Sequence, residues 1–268
     1  MTNDPAFDRF VTDYARHRAA EGRALGPQDL LRLPYLTTGP LARQWTVRAR
    51  TFEAFMRHAV APLGARLGRT LTILDLGAGN GWLSYRVARE GHRAIALDIR
   101  DDTVDGLGAA EPYVQRSHGA IERVVASFAD IPFADGSVDL AVFNASIHYA
   151  LDLGQALREA ARVVHPGGML AILDSPFYAS ESDGLAMVAE KRAGAAAQFG
   201  ANADALLALP FIEFLTRDGL AAADRTLLWR RRRVLYPLWY ELRGLRAALN
   251  GRRRPSRFDL WVADRPSG

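Results

Sequence analysis

Hydrophobic and polar positions change their spacing near residue 70. From there on, short apolar runs alternate with amphipathic segments of helical period, and the apolar runs predict strands. The five predicted strands lie at residues 70–76, 93–99, 121–127, 137–145 and 169–176. Helices are predicted at 81–91, which Gly91 ends, and at 152–164, which the residues HPGG end. Strands that alternate with helices favour a doubly wound α/β fold, a parallel sheet with helices on both faces.

A helical extension is predicted on the N-terminal side of this core. Residues 1–65 have apolar positions at helical spacing, among them Trp45 and Phe52, and we expect them to cover one end of the sheet as a lid. The core that they precede is expected to span residues 66–176 and to be Rossmann-like.

The C-terminal side is predicted to contain a helical insertion and two closing strands. Residues 177–225 form the insertion on the substrate side, and residues 226–268 contain strands at 226–231 and 257–264. These strands would complete a mostly parallel, seven-stranded sheet. One face of a basic helix carries Leu235, Leu238, Trp239, Leu242, Leu245 and Leu249. We interpret this face as packing against the core, and the flanking arginines leave binding to a membrane open.

The composition is that of a globular chain whose charge is unevenly distributed. Hydrophobic residues make up 49% and charged residues 24% of the sequence. The absence of cysteine excludes disulfides, thiolate metal sites and cysteine nucleophiles, and no metal site is expected. Residues 229–268 hold eleven arginines and three acids, a net charge of +8, against −4 for the rest. A solvated rim is the simpler interpretation, and an anionic substrate, a membrane surface or RNA stays open.

The first predicted strand runs directly into a loop rich in glycine. Residues 73–84 read ILDLGAGNGWLS, with the pattern G-x-G-x-G. Such a loop lets the backbone approach a ligand at the beginning of a helix. A dinucleotide fingerprint would place a small residue where Trp82 stands, which disfavours a nicotinamide oxidoreductase, and a P-loop would need a G-K-[ST] triplet that the sequence lacks.

An acidic residue follows this loop at the end of the next predicted strand. Asp98 ends the second predicted strand, 21 residues after Gly77. A carboxylate at this place can accept hydrogen bonds from both ribose hydroxyls of an adenosine group. The pattern therefore predicts an adenosine cofactor without a pyrophosphate.

Four segments of the predicted core follow one another in a fixed order. They read LDLGAGNG, ALDIRDD, ASFADIPFADGSVDLAVFNASIHY and ALREAARVVHPGGMLAILDSP, and they extend over residues 68–176, about 40% of the chain. In these segments the sequence resembles the class I S-adenosylmethionine-dependent methyltransferases, most of all the small-molecule branch related to ubiquinone and menaquinone biosynthesis. The resemblance implies S-adenosylmethionine as the cofactor and a Rossmann-like core.

The resemblance also implies which residues bind the cofactor. The implied set is Asp75, Gly77, Ala78, Gly79, Asn80, Gly81, Asp98, Ile99, Ser127, Phe128 and Asn144. Within it, Asp75 orients the loop, Asp98 holds the ribose, and Ile99 packs on the adenine. Asn144 lies where a backbone carbonyl of the family meets the cofactor's ammonium group. Ser127 departs from the family pattern, which often has an aspartate for the adenine amine, although a serine could still accept that bond.

Three residues are candidates for catalysis. Methyl transfer from a sulfonium is an in-line displacement, so the enzyme supplies proximity, orientation and exclusion of water. An O–H or C–H acceptor also needs a base. His148 and Tyr149 follow the fourth predicted strand and Asp174 ends the fifth, so all three are expected near the methyl group. The alternative is a structural role, as a pocket wall for His148 or in a turn for Asp174.

We expect the methyl acceptor to be a small molecule that is methylated on oxygen, nitrogen or carbon. The sequence leaves open whether this molecule is anionic or amphipathic. Residues 35–51 are expected to help form the lid, and the candidate contacts to the cofactor carboxylate or the substrate are Tyr35, Arg43, Trp45 and Arg48. Residues 177–192 could form a second wall of the pocket.

Two other functions are weighed against this one. One is an RNA methyltransferase that uses the Arg-rich C-terminal segment, and the other is a non-catalytic cofactor-binding protein. Nucleic acid is the less favoured partner, because the residues NASI after the fourth strand lack the prolines of base-methylating enzymes. The N-terminal residues lack a signal-peptide pattern and no apolar run is long enough to span a bilayer, so a cytoplasmic location is expected.

Overall fold

The computed structural model describes residues 24–200, 207 and 209–266, together with residues 9, 12–14, 16 and 22. The strands are β1 Thr72–Leu76, β2 Arg93–Asp98, β3 Ile121–Val125, β4 Val138–Asn144, β5 Val164–Leu173, β6 Arg230–Arg232 and β7 Leu260–Asp264. The α-helices are α1 Pro27–Arg32, α2 Ala42–Phe55, α3 Ala61–Leu67, α4 Trp82–Arg89, α5 Glu111–Val114, α6 Leu153–Val163, α7 Glu181–Phe199, α8 Arg217–Ala223, α9 Leu238–Glu241 and α10 Arg243–Leu249. A π-helical turn, Met56–Val60, joins α2 to α3.

The seven strands form one sheet in the order β3-β2-β1-β4-β5-β7-β6. Strands β1 to β5 are parallel, and β7 runs antiparallel to both β5 and β6. The strand order reverses between β1 and β4, and such a reversal opens a crevice at the carboxyl ends of the strands. The predicted doubly wound, mostly parallel, seven-stranded sheet is confirmed.

Alternate residues of the central strands face two separate apolar clusters. On β1, Ile73 faces one cluster, whereas Leu74 and Leu76 face the other. Helices α2, α3 and α4 cover the first face, and α6 and α8 cover the second. Helix α2 of the N-terminal extension therefore lies on a face of the sheet, against β5 and β7, rather than over one end as the sequence suggested.

Strand β5 begins earlier than its sequence pattern predicts. It starts at Val164, immediately after α6, because the residues HPGG continue as strand instead of ending the helix in a loop. The register against β4 shifts between Val138 and Leu140, and Gly167, with a φ of 80°, lies in the same irregular stretch. A glycine at positive φ accommodates this kind of bulge.

The segment predicted as a basic helix does form, but its leucines are not in the core. The Leu242 N–H bonds to the Leu238 carbonyl, and the Arg246 N–H bonds to the Leu242 carbonyl, so helical bonding continues from α9 into α10. Leu238, Leu245 and Leu249 are 73%, 57% and 78% exposed. The prediction of core packing is wrong, because other helices already cover both faces of the sheet. No helix in the described ranges combines the length and the apolar character needed to cross a membrane.

A buried carboxylate connects β1 and β4 at the amino ends of these strands. Asp139 on β4 is 2% exposed. It accepts a hydrogen bond from the Thr72 N–H at 2.7 Å and from both terminal nitrogens of Arg69. A buried carboxylate is tolerated only with such partners, so this contact aligns the two central strands.

We predict that Asp139→Ala lowers the free energy of unfolding by about 3 kcal/mol, because it leaves a backbone N–H and a guanidinium without their acceptor. Urea denaturation followed by circular dichroism measures the change. The control is Asp135→Ala, which removes a 75% exposed carboxylate paired with Arg162 and should cost less than about 1 kcal/mol. Equal losses for the two variants would show that Asp139 has no special structural role.

Candidate functional site

The glycine loop joins β1 to α4 at the crevice beside the strand-order reversal. Gly77, Gly79 and Gly81 have φ values of 72°, 54° and 75°. The N–H groups of Gly77 and Ala78 donate to the Leu97 carbonyl at 2.8 and 3.0 Å. The loop is therefore held against the end of β2.

Gly77 also lies against the chain that follows β4. A methyl group at Gly77 would overlap the Cβ of Ser146 and would approach the ring of Phe128 to 3.7 Å. The Ser146 hydroxyl donates to the Leu76 carbonyl, which connects the two segments. Glycine is required here for two reasons, the left-handed φ and the close contact.

Asp98, at the end of β2, accepts hydrogen bonds from the loop. The Gly79 N–H donates to its Oδ2 at 2.8 Å, and the Arg100 N–H donates to its Oδ1 at 2.9 Å. Burial raises the pKa of Asp98, and these two N–H groups oppose the increase. Each carboxylate oxygen can accept a second hydrogen bond, so Asp98 can still bind a pair of hydroxyls.

Two buried acceptor atoms lie on the same face of adjacent central strands. Asp75 accepts a hydrogen bond from the Ser84 hydroxyl at 2.9 Å through Oδ2, while its Oδ1 has no partner among the described residues. The Oδ1 of Asn144 on β4 is likewise unpaired within that part of the chain. Burial raises the pKa of Asp75 to about 7, Asp98 adds to the increase, and Ser84 opposes it. Unpaired buried acceptors of this kind suit a bound ammonium or sulfonium cation.

Two other residues of the implied cofactor set hold the loop through contacts with the protein. Asn80 donates to the Asp105 carboxylate at 3.1 Å and accepts from the Trp82 N–H at 3.2 Å, so it caps the beginning of α4. The side chain of Ala78 is buried in a small apolar cluster. Only the backbone of these two residues is suited to contact a ligand.

The predicted adenine end is more open. Ser127 is exposed, and its hydroxyl accepts the N–H of Ala129 at 3.1 Å. Phe128 stands edge to face with Phe143 at 5.6 Å between ring centroids. Ile99 is half-buried beside Asp98. Of these residues, Phe128 lies against the loop at Gly77.

A cavity of about 440 Å³ opens at the carboxyl ends of β4 and β5. Its lining consists of Tyr14, Arg43, Gln44, Val47, Arg48, Ala145, His148, Tyr149, Asp174, Pro176, Trp239, Tyr240, Arg243 and Phe258. The structure thus brings the three predicted catalytic residues together in one cavity.

Asp174 is the carboxylate of this cavity. It has a left-handed φ of 55°, and so does Ala145 after β4, at 57°. Its Oδ1 accepts the Thr51 hydroxyl at 2.6 Å, and its Oδ2 lies 3.8 Å from the Arg48 Nε. Burial raises the pKa of Asp174, and Arg48 and Thr51 oppose the increase. Uncommon backbone conformations at two neighbouring strand ends are typical of functional sites.

His148 and Tyr149 line the cavity shortly after Ser146, which contacts Gly77 of the glycine loop. The His148 Nδ1 lies 3.4 Å from the Ser175 hydroxyl. The Tyr149 hydroxyl accepts a hydrogen bond from the Tyr14 hydroxyl at 2.9 Å, and the Arg100 guanidinium lies 5.1 Å from the Tyr14 ring. Tyr14 therefore connects the end of β2 with the cavity.

Two arginines make the cavity cationic. The Arg43 guanidinium lies 5.8 Å from the Trp239 ring, and that of Arg243 lies 3.8 Å from the Tyr240 ring. Neither has a carboxylate within ion-pair distance among the residues that the structure describes. The cavity can therefore bind an anionic group beside aromatic surface.

Some of the residues that the sequence predicted to contact the cofactor or the substrate do not line this cavity. Trp45 packs on Trp82 at 5.8 Å between ring centroids, and Tyr35 lies 5.2 Å from the Arg86 guanidinium, so neither lines the cavity. The described part of residues 177–192 contributes nothing to the lining. The opposite wall comes instead from Trp239, Tyr240, Arg243 and Phe258, which the sequence interpretation missed. The sequence pattern assigns Trp239 to the leucine face, whereas in the structure it lines the cavity together with Tyr240 and Arg243.

Comparison with known proteins agrees with this geometry. Residues 74–172 match the family described as "Methyltransferase domain". The malonyl-[acyl-carrier protein] O-methyltransferase of Erwinia pyrifoliae is 37% identical over 109 residues, 40% of this chain and 38% of that protein. The 27-O-demethylrifamycin SV methyltransferase of Amycolatopsis mediterranei is 33% identical over 137 residues, 46% of this chain and 47% of that protein. This chain therefore spans less than half of either relative.

The fold of the domain is also found in solved structures. The geranyl diphosphate C-methyltransferase of Streptomyces coelicolor A3(2) superposes with a TM-score of 0.60 at 17% identity, over 99% of each chain. The chain has the class I methyltransferase fold, and the resemblance in the four sequence segments is confirmed.

We predict that Asp75→Asn changes how stability depends on pH. The pKa of Asp75, about 7 in the folded protein, lies above that of an unfolded aspartate, so wild-type stability falls as pH rises from about 4 to about 7. The uncharged variant lacks this loss, and its stability relative to wild type should increase by up to about 4 kcal/mol over that window. Urea denaturation at several pH values measures the difference. The exposed-carboxylate control Asp218→Asn should show no such increase, and parallel curves for Asp75→Asn would contradict the raised pKa.

Proposed function

We propose that this protein transfers the methyl group of S-adenosylmethionine to an oxygen, nitrogen or carbon atom of a small anionic molecule. The observation that carries the proposal is that the glycine loop, bonded to Asp98, contacts Ser146, and Ser146 follows Ala145 of a cavity that also holds His148. Two arginines of that cavity have no carboxylate partner among the described residues. The methyltransferases among the relatives support it.

The glycine loop and two acidic residues would hold the cofactor. Asp98 would accept the ribose hydroxyls, the backbone at Gly77 and Gly79 would follow the methionine portion, and Asp75 with Asn144 would face the cationic amino group. When bound, the cofactor would supply a methyl group on a positively charged sulfur, and this sulfur would leave as the acceptor's lone pair bonds to the methyl carbon. The chain contributes orientation and exclusion of water, which account for most of the acceleration in such a displacement.

The acceptor would lie in the cavity with its anionic group on Arg43 and Arg243. Asp174 holds Arg48 in position, and the rings of Trp239 and Tyr240 cover the acceptor. For an O–H acceptor, His148 would receive the proton at an imidazole nitrogen as the bond to the methyl group forms. Tyr149 would position the acceptor through its bond to Tyr14.

The expected division of the chain agrees with these roles. Residues 66–176 would bind the cofactor, and residues 1–65 would form one wall of the acceptor cavity through α2. Residues 226–268 would form the opposite wall, and residues 177–225 would be a helical insertion beside it. The cytoplasmic location stays a prediction.

We predict that Asp98→Ala weakens cofactor binding by about 1–3 kcal/mol, because the ribose hydroxyls lose their acceptor. The measurement is calorimetric titration with S-adenosylmethionine and S-adenosylhomocysteine, with NAD and ATP as comparison ligands. Asp101→Ala, which removes the exposed neighbouring acid, should bind as the wild type does.

A 2′,3′-dideoxy analogue of S-adenosylhomocysteine separates ribose recognition from support of the loop. The wild type should bind the analogue more weakly than S-adenosylhomocysteine. The Asp98→Ala variant should bind the two ligands with the same affinity. Binding of NAD or ATP in place of the sulfur nucleosides would overturn the cofactor assignment.

We predict that Arg243→Gln and His148→Ala affect different kinetic constants. The assay uses labelled cofactor and pairs of acceptors, each pair a hydroxybenzoate and the corresponding hydroxybenzamide. Arg243→Gln should raise KM for the carboxylate about tenfold or more and leave KM for the amide unchanged. His148→Ala should lower kcat by about a hundredfold or more with little change in KM. Arg225→Gln, an exposed arginine outside the cavity, is the control.

The two outcomes distinguish the alternatives. Equal use of carboxylates and amides would contradict the anionic acceptor. Cofactor binding without transfer to any acceptor of the panel would favour a non-catalytic binding protein.

A further inference from the structure

Residues 228–254 form a surface that combines exposed leucines with arginines, here called the leucine–arginine surface. At 100° per residue, Leu238, Leu242, Leu245 and Leu249 lie within an arc of about 60° on α9 and α10. Leu228 and Leu235, outside these helices, are exposed as well. Five of the nine exposed large hydrophobic residues of the described chain thus lie in this one segment.

The opposite side of the same helical segment lines the acceptor cavity. Trp239, Tyr240 and Arg243 line the cavity, whereas Leu238, Leu245 and Leu249 are exposed and Leu242 is half-buried. The segment is therefore packed against the protein along one face, and this packing holds the leucine face in position. It is available for a partner outside the chain.

The charge around the leucines is almost entirely positive. Residues 228–254 contain nine arginines and one glutamate. Six of these arginines have no carboxylate within ion-pair distance among the described residues: Arg232, Arg233, Arg243, Arg246, Arg252 and Arg254. A groove of about 570 Å³, lined by Arg231, Arg232, Arg233 and Leu235 among others, opens in the same surface. Its lining suits a phosphate group attached to an apolar chain.

We propose that the leucine–arginine surface binds the face of an anionic lipid bilayer. The leucines enter the boundary between headgroups and acyl chains, and the arginines bind lipid phosphates, as in interfacial helices with basic flanks. A symmetric pair of copies would bring arginines against arginines, which disfavours self-association. RNA would use the arginines but would leave the leucines exposed to water.

The test is co-sedimentation of the whole protein with lipid vesicles. The wild type should sediment with vesicles that mix phosphatidylglycerol and phosphatidylcholine, and should remain in solution with phosphatidylcholine alone. Leu245→Ala together with Leu249→Ala should weaken binding to the mixed vesicles about tenfold or more, because the variant lacks two of the side chains that enter the acyl boundary of the bilayer. The control pair, Leu151→Ala with Leu185→Ala, removes similarly exposed leucines elsewhere and should bind as the wild type does.

The charge contribution has its own variant. Arg246→Gln together with Arg252→Gln should also reduce binding, and added salt should reduce it further in the wild type. All four leucine variants and both arginine variants lie outside the cofactor loop and the cavity lining, so calorimetric binding of S-adenosylhomocysteine should not change. A failure of cofactor binding would thus leave the membrane result standing.

Three results would overturn the proposal. One is equal binding to mixed and pure phosphatidylcholine vesicles, and another is binding that the leucine variants do not affect. The third is a dimer in light scattering that the leucine variants dissociate, which would assign the surface to a second copy.

Discussion

The close approach of the glycine loop to the chain after β4 is the constraint on which the rest of the site depends. Gly77 leaves no room for a side chain beside Ser146, and Gly79 is bonded to Asp98. These contacts bring the carboxyl ends of β1, β2 and β4 together where the strand order reverses. A loop with side chains would stand away from Ser146, and the proposed cofactor position would no longer adjoin the segment that leads from β4 into the cavity.

Polar residues at the ends of buried strands give the site its chemistry at some cost in stability. Asp75, Asn144 and Asp174 are all buried, and each has an oxygen that accepts no hydrogen bond within the described structure. Burial disfavours the charged form of both carboxyls. Such groups are expensive in an apolar sheet, and their concentration at one edge is consistent with a place where a charged ligand supplies the missing partner.

The helical segment of α9 and α10 connects the two proposals. Its inner face contributes Trp239, Tyr240 and Arg243 to the acceptor cavity, and its outer face exposes leucines beside arginines. If the outer face lies on a bilayer, the cavity wall lies at the membrane surface as well. An acceptor with an anionic group and an apolar portion would then be found close to the cavity that binds it.

Local patterns in the sequence determined the strands of the sheet, the glycine loop and the place of Asp98 at the end of β2. Strand periodicity, G-x-G-x-G spacing and the place of Asp98 depend on neighbours along the chain, which is why the fold and the cofactor edge followed from them. The acceptor cavity was decided by tertiary structure alone. Arg43 and Arg243 are 200 positions apart and line the same cavity only because the folded chain brings α2 and α10 to it. The exposure of the leucines was likewise undetermined by their spacing, since an apolar helical face has the same pattern whether protein, lipid or water lies against it.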